Sequence, residues 1–166
     1  MKLSDGVEQA IHSVTMLAGL ETDAVLSAAS LAAFHGVSTS YLLKHLQALS
    51  GAGILATVPG PKGGYRLARK PGAISLLDIV LAVEGPAPAF RCNEIRQRGP
   101  NPLPGRYFTA PCGINAAMLK AEKAYRKELA SVSVAGLIAD LAQSDDGGIV
   151  ARGCAFLDQH QRKSAR

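Results

Sequence analysis

No run of 18 apolar residues occurs in the chain, which excludes a membrane-spanning helix. The opening MKLSDGVEQ has a lysine but no apolar stretch leading to a small-residue cleavage site, so a signal peptide is not expected and a cytoplasmic location is. Tryptophan is absent and cysteine is scarce, with only Cys92, Cys112 and Cys154. An odd number argues against a disulfide framework, and without a CxxC pair the common zinc patterns are missing too. Acidic residues are missing altogether from Ala24 to Leu77, a stretch that carries Lys44, Lys62, Arg66, Arg69 and Lys70. With a net charge of +5, a local field of one sign attracts polyanions, the plain alternative being a basic solvated face. No Ser-His-Asp set, phosphate loop or metal–water site stands where a substrate cleft would form, so an enzyme is not expected.

What is present is enough for a core: 48% of 166 residues are hydrophobic, which suits one domain of ordinary size or a small domain plus an arm. Ser4 or Asp5 can cap a first helix to about Ala18, since Val7, Ala10, Ile11, Val14, Leu17 and Ala18 recur at helical spacing. Glu8 and His12 are four apart and share one face at the edge of this stripe. Thr22 to Leu26 reads as extended. Ser27 then caps a helix to about His35, and Gly36 supplies the turn after it.

The segment Val37 to Arg69, VSTSYLLKHLQALSGAGILATVPGPKGGYRLAR, reads as the second helix of a helix-turn-helix followed by a wing. Ser38 caps the helix, Leu42, Leu43, Leu46 and Leu49 form its buried stripe, and Gly51 and Gly53 stop it. Two short β-runs, Ile54 to Val58 and Tyr65 to Ala68, flank a Gly- and Pro-rich tip. Residues near the start of a recognition helix meet base edges, which selects Thr39, Ser40 and Tyr41 for groove contact. Tyr41 has packing against the domain as its alternative role. Lys44 and His45 suit phosphate or flanking contact, and Lys62 and Arg66 suit phosphate or minor-groove contact by the wing. The tip lacks the GxxxxGK[ST] order and lies between strands, which argues against a nucleotide cradle.

Ser75 caps a helix from Leu76 to Val83, ended by Glu84, Gly85 and Pro86. Ala87 to Pro111 is a long Pro-, Gly- and Arg-rich loop with one expected turn at Asn93 to Gln97. Cys92 lies near its start and Cys112 just after it, and ligand binding at both ends would explain such a loop. From Gly113 to about Ser131 runs the longest helix. Its stripe of Ile114, Ala117, Met118, Ala121, Tyr125 and Leu129 is free to pair with a second subunit. Val134 to Leu141 is a short docking helix. The stretch from 144 to 166 reads as a flexible tail, with Cys154 a thiol without a function. Two thiols and an imidazole suit iron or zinc, whereas a carboxylate is a harder ligand. From the residues alone, Glu8, His12, Cys92 and Cys112 as a ligand set and a thiol switch between the two cysteines are both open.

VSTSYLLKHLQALSGAGIL, GPKGGYRLAR and ISLLDIVLAVEG, in that order, closely resemble the winged-helix regulator family of IscR and NsrR, over about residues 1 to 141. Members form dimers through a long helix and bind near-palindromic operators. Most cluster-binding members carry three closely spaced cysteines after the fourth helix, and this chain lacks the middle one. FRCNEIRQRGP and the distant second cysteine are more similar to the redox-sensing iron–sulfur regulator RsrR. That resemblance implies a 2Fe-2S cluster held by Cys92 and Cys112 of one subunit and by Glu8 and His12 of the other. Gln9 stands where that relative has an aromatic residue, so the route from cluster to DNA module is expected to differ.

The expected fold is mainly α with a small β-wing. Residues 1–85 form the winged helix-turn-helix domain, 86–112 a sensor loop, 113–143 the dimerisation and docking helices, and 144–166 the tail. The expected function is a dimeric, cytoplasmic regulator of transcription that binds double-stranded DNA and senses redox state through a 2Fe-2S cluster. The rivals are a cluster-free thiol regulator using Cys92 and Cys112, and a structural or interaction protein that does not bind DNA.

Overall fold

The computed structural model describes residues 3–144 and 146–163. The fold is mainly α with a small antiparallel wing, as the sequence implies. Helix α1 spans Asp5–Ala18 and buries Val7, Ala10, Val14 and Leu17. Strand β1 is Ala24–Val25, α2 is Ala28–His35 and α3 is Thr39–Gly51. The Ser27 hydroxyl accepts from the Ser30 N–H at the start of α2, and Gly36 ends the helix at φ +66°, a region open to glycine. Leu42, Leu46 and Leu49 are fully buried on α3, each worth roughly 1.5–3 kcal/mol of transfer. Together with the α1 stripe, Leu31 and Ile54, they form the core that fixes the angle between the two helices.

The wing is β2 (Leu55–Val58) against β3 (Gly64–Leu67), with Leu55 opposite Leu67 and Val58 opposite Gly64. A Cβ on Gly63 would lie 2.0 Å from the Val58 carbonyl oxygen, so the tip can turn this tightly only with glycine there. The Leu26–Tyr65 bridge ties β1 to the wing. Helix α4, Leu76–Glu84, opens with a reciprocal Ser75–Asp78 capping box. The sensor loop follows. It contains two single 3-10 turns, one over Ile95–Gln97 as expected and a second over Gly105–Phe108. Helix α5 is Gly113–Ser131 and α6 is Val134–Ser144.

The expectation of a flexible segment from 144 to 166 fails over its middle, where Gly148–His160 forms α7 and Arg162–Lys163 forms β4, antiparallel to β1. Leu157 is buried against Gly19, the residue that follows α1, and Phe156 lies 4.8 Å from the Phe34 ring. Ile149 and Val150 of α7 remain exposed, and Leu157 is its one buried residue. Residues 145 and 164–166 of that expectation lie outside the described residues.

Candidate sensor site and DNA-binding face

The long loop has both ends on α5. At its start, Arg126 donates to the Pro86 and Ala87 carbonyls, and the Ala89 N–H donates to Glu122. At its end, Cys112 is the N-cap residue of α5. The chain therefore leaves α5's middle and returns to its first turn, which brings Cys92 to Cys112 across 20 positions of sequence. Their sulfurs and a carboxylate oxygen of Glu94 all lie within 4.8 Å of one another.

Cys112 is 8% exposed and Cys92 half-buried. No cap hydrogen bond of ordinary geometry runs through the Cys112 sulfur. The N–H groups of Asn115 and Ile114 at the helix start, then Cys92 and the Arg96 guanidinium, nevertheless hold the Cys112 thiol below its ordinary pKa, against burial, which raises it. A helix N-terminus favours negative charge, so this is where a thiolate forms most readily. Glu94 sits at φ +48°, outside the usual range for a side-chain-bearing residue. It is ion-paired to Arg96, which holds its carboxyl below the usual carboxylate range. Arg96 also donates to the Ala110 carbonyl and lies 5.3 Å from the Phe108 ring, closing the loop over the thiols. Glu94 was not among the sequence candidates. It stands two residues after Cys92, at the head of the turn expected from Asn93, but glutamate itself rarely takes the left-handed conformation that brings it to the sulfurs.

Glu8 and His12 lie apart from this cluster within one chain. Both are exposed on α1, in a depression of about 390 Å³ shared with Leu3 and Ile11. The His12 ring is 5.5 Å from that of His35. Burial, then His12 and Arg152, push His35 below its ordinary 6.5. Two thiols, one of them acidified, form a soft donor pair that fits iron, and the separate carboxylate–imidazole pair is open to solvent and to a second subunit.

On the candidate DNA face, Thr39, Ser40, Tyr41 and Lys44 are exposed along the first turns of α3, and Lys62 is exposed at the wing tip. The Ser38 hydroxyl hydrogen-bonds that of Ser40 at 3.0 Å instead of capping the helix. Tyr41 stands edge-on to His45, 4.7 Å between centroids, while remaining 39% exposed. Two sequence candidates sit differently from the outward cations expected. His45 lies over α1, where a Cβ on Gly6 would come within 2.3 Å of its ring, and burial followed by Lys44 lowers its pKa. Arg66 pairs with Asp23 at 3.4 Å. Neither was legible in sequence, because both partners lie in other elements. At the head of α1, the Ser4 hydroxyl and N–H donate to Glu84 of α4, so α1 is held by α3 and α4 together.

The family "Rrf2: Iron-dependent Transcriptional regulator" matches residues 3–140. YffB of Lactococcus lactis, named as an HTH-type transcriptional regulator, is 34% identical over 135 residues, covering 81% of this chain and 85% of that one. The chain is also 38% identical over 85 residues to YwgB of Bacillus subtilis, another protein with such a name, covering 51% of this chain and 54% of that one. Among solved structures, CymR, the global cysteine regulator of B. subtilis, superposes with TM-score 0.64 at 22% identity, covering 84% of this chain and 97% of that one. IscR of T. potens superposes with TM-score 0.64 at 24% identity, covering 90% and 96%. These two likenesses show the winged-helix fold, and the relatives are regulators, not enzymes. No helix among the described residues is long and apolar enough to cross a membrane. The chain belongs to the Rrf2 family of transcriptional regulators.

Proposed function

We propose that this regulator acts in the cytoplasm as a homodimer on near-palindromic double-stranded DNA and senses redox state through a 2Fe-2S cluster. The observation that carries the reading is the meeting of Cys92 with an acidified Cys112 at the start of α5, in a family described as iron-dependent. Cys92 and Cys112 hold the group from one subunit, and Glu8 and His12 from the other, in the pattern that the likeness to RsrR implies. When bound, such a cluster supplies a one-electron redox couple, at a higher potential with imidazole ligation than with thiolates alone.

The chain's own residues carry the rest. Ile114, Met118 and Leu119 are exposed on the first half of α5, 68%, 44% and 41%, while Glu122, Tyr125, Arg126 and Leu129 pack toward α4 and the loop. The free half is the surface on which a second copy is seated. His45 against Gly6 links α1 to the recognition helix. A shift of α1 in its hold on the partner is therefore passed to α3, whose spacing from its twin must match the DNA helical repeat. Thr39, Ser40 and Tyr41 read the groove, and Lys44, Lys62 and Arg66 face phosphate, with His45 at the joint rather than on the DNA.

The test is anaerobic purification followed by visible absorption and by iron and acid-labile sulfide analysis, with Cys92→Ala as control. Visible bands with equal iron and sulfide, lost in the variant, are expected. Absence of both, before and after reconstitution, removes the cluster reading. A second reading rests on the same two sulfurs: a hydroperoxide oxidises Cys92 and Cys112 to a disulfide, two electrons and two protons passing to the oxidant. Its support is their proximity, and S. aureus CymR, of the same fold, has been solved in an oxidized form. Reversible oxidation of iron-free protein that changes DNA affinity would select it. Loss of gel shift on the chain's own promoter in Lys62→Ala with Arg66→Ala separates both readings from a protein that does not bind DNA.

A further inference from the structure

The family match ends at residue 140, yet the chain continues into an ordered helix and strand. This addition does not hang free. Leu157 is buried, the Phe156 ring lies 4.8 Å from that of Phe34 in α2, and the Glu21 N–H donates to Gln161. These contacts seat β4 along the free edge of β1, with Arg162 opposite Val25 and Lys163 opposite Ala24. Because β1 is bridged to β3, β4 extends the ribbon that carries the wing. The Arg162 guanidinium reaches the wing tip itself and donates to the Pro61 carbonyl at 3.3 Å.

We propose that Arg162 is a DNA-phosphate contact, added to the wing by the C-terminal segment. Four observations support it. Arg162 is exposed although it touches the tip, so one N–H serves Pro61 and the others of its five face outward. It stands beside Lys62, the exposed lysine next to Pro61. Arg66, the cation expected on this wing, is engaged by Asp23, so Arg162 supplies charge where Arg66 is partly neutralised. The guanidinium is also held in place before DNA arrives, which lowers the ordering cost of the contact. The partner is the sugar–phosphate backbone of duplex DNA, whose contacts position a protein without reading sequence.

The inference rests on the DNA-binding reading, and one experiment separates their failures. Full-length protein is titrated by fluorescence anisotropy onto a random-sequence duplex across sodium chloride concentrations. Each phosphate contact adds about 0.9 to the slope of log affinity against log salt, and losing one weakens binding about fivefold near 0.15 M. Arg162→Gln should lower the slope by about 0.9 per protomer engaged. Lys163→Gln removes the same charge from the neighbouring position, which faces the other side of the strand, and should leave the slope unchanged. Thermal melting of both variants accompanies the titration. An unchanged slope in Arg162→Gln, even with a lowered melting point, reduces Arg162 to a strap on the wing and overturns the proposal. Equal falls in both variants also overturn it, by assigning the effect to net charge. If wild-type protein shows no salt-dependent binding, the DNA reading and this inference fall together.

Discussion

Gly6 is buried against the ring of His45, a close contact that lies beside the apolar core shared by the helix that carries Glu8 and His12 and the helix that faces DNA. Gly6→Ala adds a methyl where 2.3 Å is available, so the ring must move or α1 must lift. A stability loss of about 1–3 kcal/mol in urea is expected, as for other overpacked sites. His45→Ala in the same chain should recover most of it, and a double variant as unstable as the sum would rule out the contact as the cause. His45 and His35 also set a pH dependence. Both have folded pKa values below the ordinary 6.5, chiefly through burial, so the unfolded chain binds more protons just below that pH. Stability is full above about 6.5 and falls as pH drops through the folded values. Thermal melting at pH 7.5 and 5.5 should show the lower midpoint at the acid end, with a smaller difference in His35→Gln. At this scale the sequence was a partial guide. Thr39, Ser40, Tyr41, Lys44 and Lys62 are exposed where helix and turn rules put them. His45 and Arg66 carry the same chemistry, but Gly6 and Asp23, which engage them, come from elements 20 or more positions away.

Among the elements, α4 is the one whose start is most fully specified by local rules. Ser75 and Asp78 exchange hydrogen bonds with each other's backbone, and Ser75→Ala should cost about 1 kcal/mol in chemical denaturation. Helix α5 is different in kind. None of its residues is buried within the chain, although it is the longest helix. Its inner half is tied to the sensor loop through Glu122 and Arg126, and its outer half presents Ile114, Met118 and Leu119. On the dimer reading, Met118→Glu places a charge in that apolar face and should yield monomer by sedimentation, with the protomer's helical signal retained. Dimer at unchanged affinity would move the interface elsewhere. The stripe on α5 was legible because period 3.6 is a local signal. The loop's path was not, because its two anchors depend on arginine and glutamate side chains from a helix that comes later in the chain.

At the scale of the whole molecule, the C-terminal segment turns a free arm into a brace. It crosses from α6 over α1 and α2 and ends at the wing. Leu157→Ala should destabilise the fold by about 2–5 kcal/mol, as expected for a buried leucine. Removal of everything after Ser144 should cost at least as much and expose the β1 edge. A truncated protein with an unchanged unfolding midpoint would show that α7 is only loosely laid on the core. The weak apolar pattern of residues 148–160 hid this helix. A surface helix that contributes one fully buried leucine has little periodicity to read, and its value comes from Gly19 and Phe34, far away in sequence.

By itself, the sequence determined the helix-turn-helix and its wing, the hydroxyl caps at Ser27 and Ser75, the long α5 and the two cysteines that frame the loop. Each of these depends on neighbours within a few positions, through helical spacing, glycine turns or hydroxyl caps. The tertiary structure alone decided that Cys92 and Cys112 meet, that Glu94 joins them, that His45 belongs to a joint and that Arg162 reaches the wing. Those facts depend on where distant segments return to one another, and packing across the core, not local preference, sets that return.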